Sequence, residues 1–342
     1  MTYRLKLREP IAGGVRRIGL EQIEIAEAKL ANGEDIPAAI HDARRCLKRL
    51  RALLRLIRPA LGETIYRREN RRLADTGRLL AGARDQHVMR QTIAKLENRF
   101  GPLPNGAAQR LDKLLGRGGG KRAHGDDRRQ ALARLSQAKA FFARADHKDI
   151  RFEHAAEGLE RAYRKARQTF RKAYRRPEDE AFHAWRKSVQ LHWRHMLLLS
   201  RGWPDALGAR ASEAKELSQL LGEDHDLSVL LAFAEERGAQ SLSEHHLAAL
   251  AARCRACQAE IRAKAEPHGA RLFAEPADSL TERVTDYWSS AARLSALEAA
   301  EEEQKSARTA GVRRAQPRRP ARRASPARRP ASQTPRRSRT TP

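Results

Sequence analysis

From His41 to Arg58 the chain reads His-Asp-Ala-Arg-Arg-Cys-Leu-Lys-Arg-Leu-Arg-Ala-Leu-Leu-Arg-Leu-Ile-Arg. Placed at about 100° per residue, Leu47, Leu50, Leu53, Leu54 and Ile57 fall in one arc, with Ala43 and Cys46 beside them. His41, Arg44, Arg45, Lys48, Arg51 and Arg55 fall on the opposite arc, with Arg49 and Arg58 at its margins. The first arc is the core face of an amphipathic helix. The second is a stripe of cations whose one acid, Asp42, stands at its edge. Like charges at i,i+3 and i,i+4 repel by roughly 0.2–0.5 kcal/mol per pair, so a solvated helix normally mixes signs. A stripe of one sign points to a polyanion that supplies the missing counter-charge.

Helical patterning continues on both sides. Residues 11–31 form an amphipathic helix through Ile18, Ile23, Ile25, Ala26 and Leu30, closed by Asn32 and Gly33. Glu34, Asp35 and Pro37 open the central helix, and Pro59 and Gly62 mark its end or a kink. A helix over 63–81 has Ile65, Leu73, Leu79 and Leu80 as core and is closed by Gly82; Asp85 caps the next, which runs to Phe100. After a loop at 101–106 and a short helix at 107–115 comes a glycine run, residues 116–122. It lacks the Gly-x4-Gly-Lys-Ser/Thr spacing and no strand precedes it, so it reads as a flexible linker and not a phosphate loop.

Helices follow at 128–145 and 150–174. Pro177, Glu178 and Asp179 open another, which carries His183 and is broken by Gly202-Trp203-Pro204. The pattern then gives a helix over 205–221 ending near Gly222, one starting at Asp224 or Asp226 and running to about 236, and long helices at 242–265 and about 277–303. Trp185, Trp193 and Trp203 read as core. Alternating β-branched runs with hairpin turns are missing, so the expected fold is all-α.

Lys and Arg total 69 against 42 Asp and Glu, a formal net charge of +27. That excess calls for an acidic partner: nucleic acid, a phosphate polymer or an anionic surface. Aromatic residues make up 5% of the chain, too few to favour a groove in which bases stack on rings. The three cysteines, Cys46, Cys254 and Cys257, do not form a disulfide framework and fit a reducing, cytoplasmic setting. The first ten residues lack the apolar core of a signal peptide, and no apolar run is long enough to span a bilayer. Cys254 and Cys257 with His245 and His246 make an incomplete zinc set, so no metal or other cofactor is expected.

From Gln304 onward the composition changes to Arg, Pro, Ala, Ser and Thr. This segment carries 13 of the 27 net charges and no acid, which leaves +14 for the body. It reads as a disordered basic C-terminal tail, residues 304–342.

The His41 region recurs. Ile40-His41-Asp42-Ala43-Arg44-Arg45 is followed by Leu80-Ala81-Gly82-Ala83-Arg84-Asp85, and Phe182-His183-Ala184-Trp185-Arg186-Lys187 by Leu221-Gly222-Glu223-Asp224-His225-Asp226. His41 and Asp85 are 44 residues apart, His183 and Asp226 are 43 apart. Two anchors repeated at matching separation indicate a duplicated helical bundle whose basic stripes face a shared cavity. The expected division is a body, 1–303, of a first half about 5–115, a linker about 116–126 and a second half about 127–303.

His-x-x-Arg followed by further cations at helical spacing, twice, each with a later Arg/His-Asp element, resembles the CHAD family, the conserved histidine α-helical domain. The resemblance covers roughly residues 5–295. It implies two four-helix-bundle-like halves related by pseudo-twofold symmetry around a basic groove or pore. It also implies binding of inorganic polyphosphate, association with polyphosphate granules, and no catalysis by the domain itself. On the matching motifs it assigns His41, Arg44, Lys48, Arg49, Arg51 and Asp85 in the first half, and His183, Arg186, Lys187 and Asp226 in the second. Arg45 and Arg55 join them on the first stripe and Arg194 on the second, where Gln190 replaces a usual basic residue. Asp85 and Asp226 are expected to cap helices or form salt bridges.

Polyphosphate is a flexible line of anions without base edges, and arginine forks at helical spacing suit it. The alternative function is binding or compaction of DNA or RNA through the tail, whose Arg-Arg-Pro and Ser-Pro steps resemble chromatin-protein tails. A phosphatase or kinase of phosphate polymers is disfavoured: the sequence shows no carboxylate pair for a metal, no phosphate loop and no nucleophile–base pair.

Overall fold

The computed structural model describes residues 3–33, 35–80, 82–116, 121–144, 149–238 and 242–315; the side chains of residues 82–85, 105, 121–124, 238 and 308–315 are not described. Among the described residues all regular structure is helical: α1 (Ile11–Asn32), α2 (Ile36–Leu56), α3 (Arg58–Leu79), α4 (Gly82–Phe100), α5 (Ala107–Gly116), α6 (Lys121–Ala143), α7 (Phe152–Arg175), α8 (Asp179–Leu199), α9 (Pro204–Gly238), α10 (Glu244–Leu272) and α11 (Ala277–Ala315). The fold is all-α, as the periodicity requires.

Asp35 starts α2, its carboxylate accepting from the Ala38 amide at 3.2 Å with proline in the first turn. The arc of Leu47, Leu50, Leu53, Leu54 and Ile57 is buried, with Ala43 and Cys46 beside it. The central helix ends at Leu56, before Pro59 and Gly62; the chain turns at once into α3, where Gly62 takes φ 70°, a left-handed conformation that kinks it.

Residues 1–296 form one compact unit and residues 297–342 a second. Within the first, α1, α2, α3 and α6 pack together, and α7, α8, α9 and α10 pack together. Helix α4 packs mainly on α9, with smaller contacts to α2 and α10, and α5 packs on α4 and α9. Ile93, Leu96 and Leu111 share a separate apolar cluster with Leu230, Ala234 and Cys254. Helix α6, beyond the glycine run, returns to α1 and α3. Packing therefore does not follow the division at residues 116–126. Residues 117–120 lie outside the described residues, and 121–126 already belong to α6.

Other boundaries differ for local reasons. Gly222 does not end a helix: α9 runs unbroken from Pro204 to Gly238, because Leu217, Leu221, Leu227 and Leu230 carry its buried face past the glycine. Gly82 opens α4, so Asp85 lies within its first turns and is not its cap; the Asp85 side chain is outside the described residues. Helix α11 continues to Ala315, well past the expected boundary at 304, through good helix formers that meet no proline before Pro317. The rest of the tail, 316–342, is outside the described residues. Trp185 is buried and Trp193 partly so, but Trp203 is 48% exposed, edge-on to Tyr287.

Candidate functional site

The register of α8, α9 and α10 is held by one partly buried guanidinium. Arg262 of α10 donates from Nη2 to Asp179 Oδ1 at 2.6 Å and from Nε to Asp224 Oδ1 at 2.6 Å, and lies 4.1 Å from the Phe182 ring centre. Asp179 stands in the first turn of α8, and Asp224 is mid-α9 and 2% exposed. This clamp sets α8 against α9 so that His183 stacks on His225, ring centres 4.0 Å apart and planes 22° apart. Within the second Arg/His-Asp element, Asp224 makes a salt bridge to Arg262. Asp226 lies inside uninterrupted α9 and so is not a cap; it lines a separate cleft with Lys95, Glu260 and Lys264.

Beside the histidine pair, α2, α7, α8 and α9 enclose a cavity of about 450 Å3. From α2 come Arg44, Lys48, Arg51 and Arg55; from α8 come His183, Arg186, Lys187 and Arg194. Eight of the eleven expected binding residues are therefore brought together. The other three are not. Arg45 is exposed and pairs with Asp42 at 3.1 Å. Arg49 turns to the opposite side of α2, donating to Gln22 Oε1 at 3.1 Å and lying 5.2 Å from the Tyr3 ring centre. His41 is exposed and does not line the cavity, since α2's stripe begins one turn before the cavity does. The two histidines that look equivalent in the repeat are thus not equivalent in space.

Two basic cavity residues escaped the sequence reading, Lys165 of α7 and His225 of α9. His225 stood in the recognised motif, in the place Arg84 holds in the first copy. Lys165 belongs to a stripe of Arg161, Arg164 and Lys165 opposite the buried Leu159, Tyr163 and Ala166, a pattern as legible as that of α2.

None of the described lining residues is acidic. Many arginines elsewhere are matched by carboxylates, as in Arg17–Glu9, Arg72–Glu69 and Arg210–Glu275. In the cavity they are steadied by neutral acceptors. Arg44 Nη1 donates to the Gly77 carbonyl at 2.7 Å, Arg51 Nε to Asn70 Oδ1 at 3.0 Å, and Arg194 Nη1 to the Gln190 carbonyl at 2.6 Å. The last bond returns the Arg194 charge one turn, to the level of Gln190, and offsets the missing cation there. For Arg51 and Arg194 the neutral oxygen fixes the guanidinium without neutralising its charge.

The electrostatics follow. Burial, then the charge of Arg55, pushes the Arg51 guanidinium down to about 10. Burial and the charges of Arg49, Arg55 and Arg186 push Arg194 down to about 10. His183 is lowered by burial and by Lys187 and Arg186, and His225 falls to about 3 for the same reasons. His183 Nδ1 is buried without a hydrogen-bond partner among the described residues. Positive charge is disfavoured at Arg51, Arg194, His183 and His225, the condition that an entering anion relieves.

The chain matches the family model of the CHAD domain over residues 17–235. It therefore belongs to the CHAD family. Among solved structures it is similar to a crystal structure of the CHAD domain from the plant Ricinus communis, with a TM-score of 0.53 and 20% identity, over 80% of this chain and 95% of that one. The likeness shows the shared fold. Among curated proteins the comparison gives no match. Among the described residues no helix is long and apolar enough to cross a membrane.

Proposed function

We propose that the protein binds inorganic polyphosphate in the cavity between α2 and α8, without catalysis. One observation carries this reading: eight cations from three helices line one cavity, no described lining residue is acidic, and Arg51 and Arg194 bond to neutral oxygens. A compact anion would meet two or three of them; a chain of phosphates can meet them in sequence. The one hydroxyl among the described lining residues, Ser188 Oγ, donates to the Ala184 carbonyl of its own helix, which favours binding over phosphoryl transfer. Residence on polyphosphate granules follows from the same reading.

The test is titration of the full chain with polyphosphate across salt concentrations. Eight contacts at about 0.7 released counterions each give an upper slope of about −5.6 in log K against log salt, or roughly a two-thousandfold loss of affinity for a fourfold rise in salt. Arg44→Glu, Lys48→Glu, Arg51→Glu and Arg186→Glu together should abolish binding with the far-UV CD retained. Undiminished affinity, or phosphate release in the presence of Mg2+, would defeat the proposal. Truncation after Glu303 separates this site from nucleic-acid binding by the tail: the cavity should keep polyphosphate binding, and any DNA affinity lost belongs to the tail.

A further inference from the structure

Next to the basic cavity lies a second, of about 430 Å3, which shares Arg55, Lys165 and Leu191 with it. One wall is α7, where Arg161, Arg164, Lys165 and Gln168 stand at offsets 0, 3, 4 and 7 and so share a helical face. The other wall is the α2–α3 junction, with Arg55 and Arg58. The two walls are held together at Gly158. A Cβ there would lie 1.9 Å from the Leu56 carbonyl oxygen, so only glycine lets α7 rest on the end of α2.

The second cavity differs from the first in its charge balance. Arg58 donates to Glu63 Oε2 at 2.6 Å and lies 4.6 Å from the Tyr66 ring centre. Arg161 donates to Glu157 at 2.8 Å, and Arg164 pairs with Glu160. These pairs are partly or fully exposed, the class worth about 0–1 kcal/mol, so a phosphate can displace the carboxylate at small cost. The shared residues Arg55 and Lys165 have no acidic partner among the described residues, and both face either cavity.

We infer that the polyanion path continues from the first cavity, past Arg55 and Lys165, into a second phosphate subsite formed by Arg58, Arg161 and Arg164. The inference rests on the polyphosphate reading of the first cavity. A short chain fills the first cavity alone. A chain long enough to reach both engages the second as an intramolecular event, and its affinity is multiplied by the effective concentration there. The second subsite, half neutralised by its own glutamates, thus acts as a length gauge.

The experiment compares tripolyphosphate with long-chain polyphosphate on the full chain, using wild type, the double variant Arg161→Gln/Arg164→Gln, and a charge-balanced variant that adds Glu157→Gln and Glu160→Gln. All four residues lie on the solvent side of α7. The double variant should lose about tenfold in long-chain affinity and reduce the salt slope by about 1.4, at about 0.7 per contact, with tripolyphosphate affinity unchanged. The charge-balanced variant should remain weak for long chains. Equal losses for both ligands, no loss for long chains, or recovery in the charge-balanced variant would overturn the second subsite. Failure of wild type to bind either ligand would instead remove the first-cavity reading beneath it.

Discussion

Replacing Arg194 by methionine should make the protein more stable and a poorer polyanion binder. Arg194 is 8% exposed, its guanidinium bonded to the Gln190 carbonyl at 2.6 Å and 5.0 Å from the Trp193 ring centre. Its pKa falls from 12.5 to about 10, so the charged form is disfavoured in the folded state at every pH below about 10. At 1.36 kcal/mol per unit, that is about 3 kcal/mol of destabilisation, fully present at pH 7. Methionine removes the charge and keeps much of the volume. Against the gain stand a hydrogen bond of about 1 kcal/mol and a cation–π contact of about 0.5–1 kcal/mol. The net expectation is stabilisation by about 1–2 kcal/mol, or about 2–4 °C in Tm for a body of this size. The sign does not change between pH 6 and 8, because both folded and unfolded pKa values lie above that window. Thermal unfolding followed by CD without added anions measures the gain. Titration with polyphosphate should show the salt slope reduced by about 0.7. A lower Tm, or affinity equal to wild type, refutes the argument that this arginine is kept for the ligand at the expense of stability.

Two further outcomes follow from the same geometry. His183 and His225 are both held below the usual histidine range by burial and the neighbouring cations, His225 at about 3, so bound phosphates should raise both and draw in protons. Polyphosphate affinity should then rise as pH falls from 8 to 6, by at most tenfold per unit for each proton taken up, and calorimetry in buffers of different ionisation enthalpy counts those protons; affinity that weakens on acidification excludes it. Asp224→Asn should cost about 3 kcal/mol by denaturant unfolding, at the lower end for a broken buried pair because Asp179 still faces Arg262, and should unstack His183 from His225; an unchanged midpoint would show that the Arg262 clamp does not set the register of α8 and α9.

Much of this protein was legible in the chain alone. The period of apolar residues in α2 settles which side is buried, since that depends only on helix geometry and the transfer of leucine from water. The same period shows that Arg44, Lys48, Arg51 and Arg55 share the other side. The repeat located α8 and its cations, and it placed His225 in a motif. What the sequence could not decide was which polar faces meet. His41 and His183 hold equal places in the repeat, yet one is exposed outside the cavity and the other stacks on His225 within it. Arg49 sits among the stripe residues and turns away toward Tyr3 and Gln22. Lys165 enters the cavity because Gly158 lets α7 rest on Leu56, more than a hundred residues earlier in the chain. Gly222 reads as a stop signal and is overridden by the leucines on either side of it. Periodicity is a property of neighbours a few residues apart and is written locally. The direction a charged face takes is fixed by close approaches and clamps between distant helices, and only the tertiary structure decides those.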